Sequence, residues 1–411
     1  MRRAAATGVP GRHAPAPVTY RDVFAVGEFR ALWLAQLLSV AGDQLARVAL
    51  TVLVYDRTRS ALLAAVTYAA SIIAVFAGGV LLSGLADRLP RRTVMITCDL
   101  ARAGLVLVMV IPGIPLAALV VLLFAVTLFT APFTAARAAL YPDILTGDRY
   151  VLGTAVTMTT FQLAQVAGFA GGGALLGFTS ARVCLAADAA TFAASALLVG
   201  TGVRARPAAA GAGRRWLAPL ADAVTGFRLV FSRPGLRTPM LFGWLATFAV
   251  VPEGLAAPLA RRLHGGDLLT GLILAATALG ISAGAVAFSR LVPTARRRAW
   301  LGPLAVACCL VLVLLAARPP AAATLAVLFA CGALGCYQIA ANAAFVAAAP
   351  PAQRGQAFGL AQAGMYLGQG GAVILAGAAA ARFAPQLVIA ASGAVGAVTA
   401  LVLAISNRQA G

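Results

Sequence analysis

The stretch GLADRLPRRTVMITCDLARAG, Gly84 to Gly104, sets six charged residues between two long apolar runs. They are Asp87, Arg88, Arg91, Arg92, Asp99 and Arg102. Charges this dense in an oily neighbourhood need water or each other. The flanking sequence decides what kind of protein can carry them.

A soluble domain is about 45–50% apolar and about 25% charged. This chain is 61% hydrophobic and only 11% charged over 411 residues, which points to a membrane protein. The net charge is +20, and every basic residue is Arg. These arginines stand in short clusters between apolar segments, with no basic stripe beside aromatics, so nucleic acid is not an expected partner. The six Cys form no CxxC and read as small buried hydrophobes, so neither a metal nor a disulfide is expected. The two His, His13 and His264, stand in a polar tail and a loop and suggest no catalytic centre. The start, MRRAAATGVPGRHAPAPVTYRD, has no apolar core of its own and reads as a disordered tail, not a secretory signal.

A membrane helix needs about 20 mostly apolar residues. Twelve candidates follow, near residues 30–55, 61–84, 93–111, 115–139, 150–177, 182–203, 238–260, 268–288, 299–317, 320–347, 355–380 and 385–406. With the N-terminus inside, 23 arginines fall on inner segments and seven on outer ones, while Arg47 and Arg102 lie within spans. That bias places both termini in the cytoplasm and the chain in the inner (plasma) membrane. The expected organisation is all-α: a tail at 1–28, a six-helix bundle at 29–203, a linker at 204–237, a second six-helix bundle at 238–406, and a tail at 407–411. In the linker, Trp216, Leu220, Val224, Phe227 and Phe231 recur at helical spacing, as in an amphipathic helix lying on the inner surface. SGLADRLPRRTV after the second span is echoed by SRLVPTARRRAW after the eighth. Such internal repeats are typical of secondary transporters.

Gly84-Leu85-Ala86-Asp87-Arg88-Leu89-Pro90-Arg91-Arg92 resembles the loop motif of the major facilitator superfamily, usually written GxLaDRxGRR, with Pro90 where Gly is usual. Phe29-Arg30-Ala31-Leu32-Trp33 with Ser39 and Gly42-Asp43 resembles the first span of its bacterial siderophore and macrolide exporter branch. Tyr55-Asp56-Arg57-Thr58-Arg59-Ser60, Pro252-Glu253-Gly254 and Arg354-Gly355-Gln356-Ala357-Phe358-Gly359 fit the same pattern in order. Span five departs from the drug–proton antiporters, which often carry a GP pair; here Gly168 precedes Phe169. The resemblance implies two six-helix bundles rocking around a central cavity, and export coupled to protons. It also implies an inner latch in which Gly84 lets helices approach and Asp87, Arg88, Arg91 and Arg92 meet the start of span eleven. Asp99 and Arg102, i and i+3 on one face, would extend it.

An ionised side chain at mid-bilayer costs about 2.5–3.5 kcal/mol on insertion scales, so it is normally paired or functional. Asp43 lies inside span one with Arg47 one turn on; the two form either a neutralising bridge or a proton or substrate site. Glu253, between Pro252 and Pro258 in span seven, is the other proton-coupling candidate, set against a wetted or capping role. Asp188, early in span six near Arg182, reads as structural. Gln162, Gln165, Tyr337, Gln338, Asn342, Gln362, Tyr366 and Gln369 are candidates for a substrate cavity, or for hydrogen bonding between helices. So few charges suit a bulky amphipathic molecule. The chain contains no GxxxxGK[ST], HExxH or GxSxG, so no cofactor and no enzymatic activity are expected. A monomer working with a small-molecule substrate, protons and lipid is the expected unit. An importer or lipid flippase, or a receptor or scaffold, are the alternatives. Replacing Asp87 by Asn is expected to impair transport and leave membrane insertion intact; normal flux in that variant would rule out the latch.

Overall fold

The computed structural model describes residues 19–82, 85–207, 227–293, 296–350 and 353–409. Eleven of the described helices are long and apolar enough to cross a membrane, and twelve when the bent pair Pro234–Gly254 and Ala256–Arg262 counts as one span. Spans one to six are Gly27–Thr58, Ala61–Leu82, Arg91–Val110, Leu116–Ile144, Asp148–Phe178 and Ala181–Gly202. Span seven is the bent pair. Spans eight to twelve are Asp267–Leu291, Arg297–Ala317, Ala321–Ala348, Arg354–Ala380 and Pro385–Gln409.

The breaks follow from proline chemistry. A proline within a helix lacks an N–H and its ring crowds the carbonyl four residues earlier. Pro132 thus disturbs Leu128, where span four is interrupted before resuming at Thr130. Pro258 disturbs Gly254, where span seven bends by 48°. Glu253 sits at that bend.

The first half packs span one against spans five and six, and span three against span six. The two halves meet along two pairs, span two with span eleven and span five with span eight. Small residues permit this contact. A methyl built on Gly173 would stand 2.8 Å from the Cα of Gly271, so spans five and eight touch backbone to backbone near the outer end.

Two features differ from the sequence reading. The N-terminal tail ends in a helix, Tyr20–Phe24, which Thr19 and Asp22 cap reciprocally. The Thr19 N–H holds the Asp22 carboxyl below the usual carboxylate range. Val23 is fully buried and Phe24 packs edge-on against Phe29 and Trp33, so apolar anchoring orders a segment whose composition suggested disorder. Glu28 then pairs with Arg206 at 2.7 Å, joining the two ends of the first half. Most of the linker reading (residues 208–226) lies outside the described residues. Its end packs against the inner side of the second half: Phe227 stacks on Phe231 at 4.4 Å, and buried Val230 joins Leu236, Met240 and Phe345. All six Cys are buried, Cys308 and Cys331 with sulfurs 3.8 Å apart.

Replacing Gly173 by Leu should prise spans five and eight apart. Thermal unfolding in detergent is expected to lose about 1–3 kcal/mol of stability. Gly171→Leu, where added atoms meet open space, should be nearly neutral.

Candidate functional site

The polar residues within the spans form three groups, each drawn from helices distant in sequence. The first is in the first half. Arg102 of span three is almost fully buried, and its Nη2 lies 2.6 Å from both carboxylate oxygens of Asp43 on span one. Its Nη1 donates to Ser39 Oγ at 3.1 Å and stands 3.5 Å from Asp99 Oδ1. The guanidinium lies over the Phe192 ring of span six, 3.9 Å from its centroid. Asp188, also on span six, is fully buried nearby. It shares with Asp43 and Arg47 the wall of a cavity of about 20 Å³.

This arrangement corrects three readings. Asp43 pairs with Arg102 and not with Arg47, because the packing of spans one and three against span six brings the Arg102 guanidinium to it while Arg47 turns to Tyr68. Asp99 and Arg102 belong to this intramembrane cluster and not to the inner loop. Asp188 faces the cluster, with Asp43 and Arg102 acting on it, and its role is not set by Arg182.

The second group joins the two halves within their spans. Tyr68 of span two donates its hydroxyl to Glu253 Oε2 of span seven. Arg47, freed from Asp43, lies 5.7 Å from the centroid of the Tyr68 ring and attracts Glu253 electrostatically. Gln162 of span five approaches Ser282 of span eight at 3.4 Å. Nothing local in the sequence marks Tyr68, because its partner lies 185 positions away.

The third group closes the outer end. Arg261 donates to Asp56 Oδ2 of span one at 2.7 Å and to Asp267 Oδ1 of span eight at 2.7 Å. One guanidinium therefore ties the outer ends of both halves. The family-like loop segment containing Asp56 and the arginines after Glu253 were visible separately; their pairing exists only in the fold.

The latch residues are partly outside the described set. Gly84 and the side chain of Asp87 are not described. Arg91 donates to Ala139 O at 2.8 Å and to Asp143 at 2.7 Å, and Arg92 donates to Gly200 O. Arg91 thus holds span four, and Arg92 span six, of their own half. Among the cavity candidates, Tyr337 is a core residue of the second half, packed among the buried residues that include Cys308 and Cys331. Tyr366 is half-buried against the same core, as are Gln165, Gln338 and Gln369 in their own helices, while Asn342 and Gln362 are exposed. A groove of about 510 Å³ lies elsewhere, at the inner ends of spans seven, nine and ten, lined by Phe242, Arg297, Arg298 and Ile339 among others. None of these candidates lines it.

Two helical bundles facing each other across paired spans, with charged groups inside those spans, are the architecture in which secondary transporters are built. The chain belongs to the major facilitator superfamily, whose family model matches residues 32–315 and 253–410. It is 28% identical over 276 residues to the enterobactin exporter EntS of Citrobacter koseri, covering 65% of this chain and 64% of that protein. EntS of Shigella boydii matches at 28% over 272 residues with the same coverage. The chain spans about 64% of the length of these curated relatives. Among solved structures it resembles the nucleoside transporter NupG, with a TM-score of 0.74 and 15% identity over 92% of this chain and 98% of that one. The peptide transporter POT in complex with sulfate superposes with a TM-score of 0.70 and 14% identity, covering 95% of this chain and 98% of the other. These likenesses show the fold.

Arg102→Ala would leave Asp43, Asp99 and Asp188 buried without their shared cation. Removing one partner of a buried pair typically costs about 3–5 kcal/mol. The variant is expected to be recovered from membranes in low yield, with a lowered unfolding midpoint, whereas Arg91→Ala should be milder.

Proposed function

We propose that this protein is a proton-driven exporter of a small amphipathic molecule, in the range of siderophores, macrolides and drugs, working by alternating access from the cytoplasm. The observation that carries the reading is the hydrogen bond from Tyr68 to Glu253, which links the two halves through an ionisable group inside the spans. A carboxylate accepts from a phenol and attracts Arg47. The protonated acid loses that attraction and becomes a donor itself. A single proton at Glu253 therefore changes the strength of the contact between halves, which is what coupling requires. The similarity to enterobactin exporters favours export and a bulky substrate.

Arg261 acts in this scheme as the outer closure. Opening to the outside separates it from Asp56 or from Asp267, while Asp87 and the start of span eleven close the inner side. Both termini lie in the cytoplasm of the inner membrane in this orientation. The energetics suffice: at about 150 mV one proton supplies roughly 3.5 kcal/mol, a substrate gradient of about 300-fold. Asp43, Arg47 and Glu253 are the residues through which the proton acts.

The test is proton movement in everted membrane vesicles, read with a pH-sensitive dye over a panel of siderophores, macrolides and amphipathic drugs. Wild type should release protons on addition of a substrate. Glu253→Gln is expected to reduce that release at least about tenfold, a loss of about 1.4 kcal/mol in the coupled step. Asp43→Asn should reduce it comparably. Release unchanged in both variants would discard these carboxyls as coupling groups, and compound uptake without proton release would indicate an uncoupled or inward carrier.

A further inference from the structure

The buried cluster of the first half contains more acid than its arginines neutralise. Three carboxyls, those of Asp43, Asp99 and Asp188, surround two guanidiniums, those of Arg102, which pairs with Asp43 and Asp99, and Arg47, which lines the cavity between Asp43 and Asp188. One negative charge is in excess when all are ionised. An unneutralised charge inside a membrane span is costly, and a proton is the smallest group that removes it.

Geometry indicates where that proton goes. Asp43 is held by Arg102 and is about a quarter exposed at its side chain, 24%, so it is the more accessible acid of the pair. Asp188 is sealed, with 1% exposure. Among the described residues its Oδ2 has no hydrogen-bond partner, and its Oδ1 accepts from Thr191 Oγ1 at 3.4 Å. Between Asp43 and Asp188 lies the cavity of about 20 Å³, lined also by Arg47 and Thr127. That is room for about one water, which needs two to four polar partners, and this wall supplies them. The charged groups facing Asp188 are Asp43 and Arg47 on span one, and Asp99 and Arg102 on span three; span four contributes apolar side chains and Thr127.

We propose that Asp43 and Asp188 share one exchangeable proton across this water-sized cavity, and that this is where the coupling proton resides when the halves are tied through Tyr68 and Glu253. Asp43, the more accessible acid, takes the proton, a water passes it on, and Asp188 holds it as a neutral acid. Arg102 stays charged throughout, fixed between Asp43 and Asp99. The inference rests on the proton-coupled reading above. It adds the residue that stores the proton and a count of one.

The experiment is infrared difference spectroscopy of the purified full-length protein in lipid nanodiscs, following the protonated-carboxyl C=O band as bulk pH is stepped from acid to alkaline. The titrating protonated-carboxyl band of wild type should lose one component in Asp188→Asn. In Asp188→Glu the band should persist at a shifted frequency. A band unchanged in folded Asp188→Asn overturns the proposal. Should that variant fail to fold, Asp188→Glu decides: a shifted band supports the site and an unchanged band overturns it. The vesicle assay separates the two readings. Proton release in wild type, lost at least tenfold in Asp188→Asn, supports both. Release equal in wild type and Asp188→Asn overturns the storage site and leaves proton coupling standing. No release in wild type refutes coupling, and the infrared band alone then decides whether the site binds a proton.

Discussion

The first half is organised around one buried guanidinium. Arg102 cannot be solvated in the middle of three packed helices, so every polar atom around it is set by its needs. Asp43 on span one meets it at 2.6 Å, Ser39 one turn earlier accepts from its other nitrogen, and Phe192 on span six covers its face. Spans one, three and six are thereby fixed relative to one another. Asp188 and the small cavity beside it are positioned as a consequence.

Engaging Asp43 in this way leaves Arg47 available. It turns toward Tyr68 and so toward Glu253, which belongs to the other half. A charge arrangement internal to one bundle is thus one guanidinium away from a contact between bundles. That adjacency is the physical basis for linking protonation to the movement of the halves. At the outer end Arg261 plays a different part. It bridges Asp56 and Asp267 where water has access, so its bonds exchange readily with water when the ends separate.

The packing between halves is compatible with such movement. Spans two and eleven, and five and eight, meet through small residues such as Gly173 and Gly271. Close backbone contact gives van der Waals attraction without interlocking side chains. The proline-induced bend beside Glu253 adds a point at which span seven can adjust without breaking its packing elsewhere.

The sequence by itself determined the class of fold. Twelve apolar stretches, the biased placement of arginine and the Gly84–Arg92 motif are local properties, and a membrane makes local hydropathy decisive because each span must satisfy its own backbone. It also located the ionisable residues, since a charge in an apolar run is conspicuous. It did not assign their partners. Asp43 has Arg47 one turn away, and helix periodicity alone favours that pair, yet Arg102 reaches it from 59 positions on. Tyr68 carries no mark until Glu253 arrives across the interface, and Asp56, visible in a family-like segment, gains a partner in the other half only with Arg261. Tyr337, a cavity candidate by its polarity, went to the core. Pairing depends on which helices pack together and at what height, and only the tertiary structure decided that. The physical reason is that hydropathy is read one segment at a time, while a salt bridge is satisfied between segments.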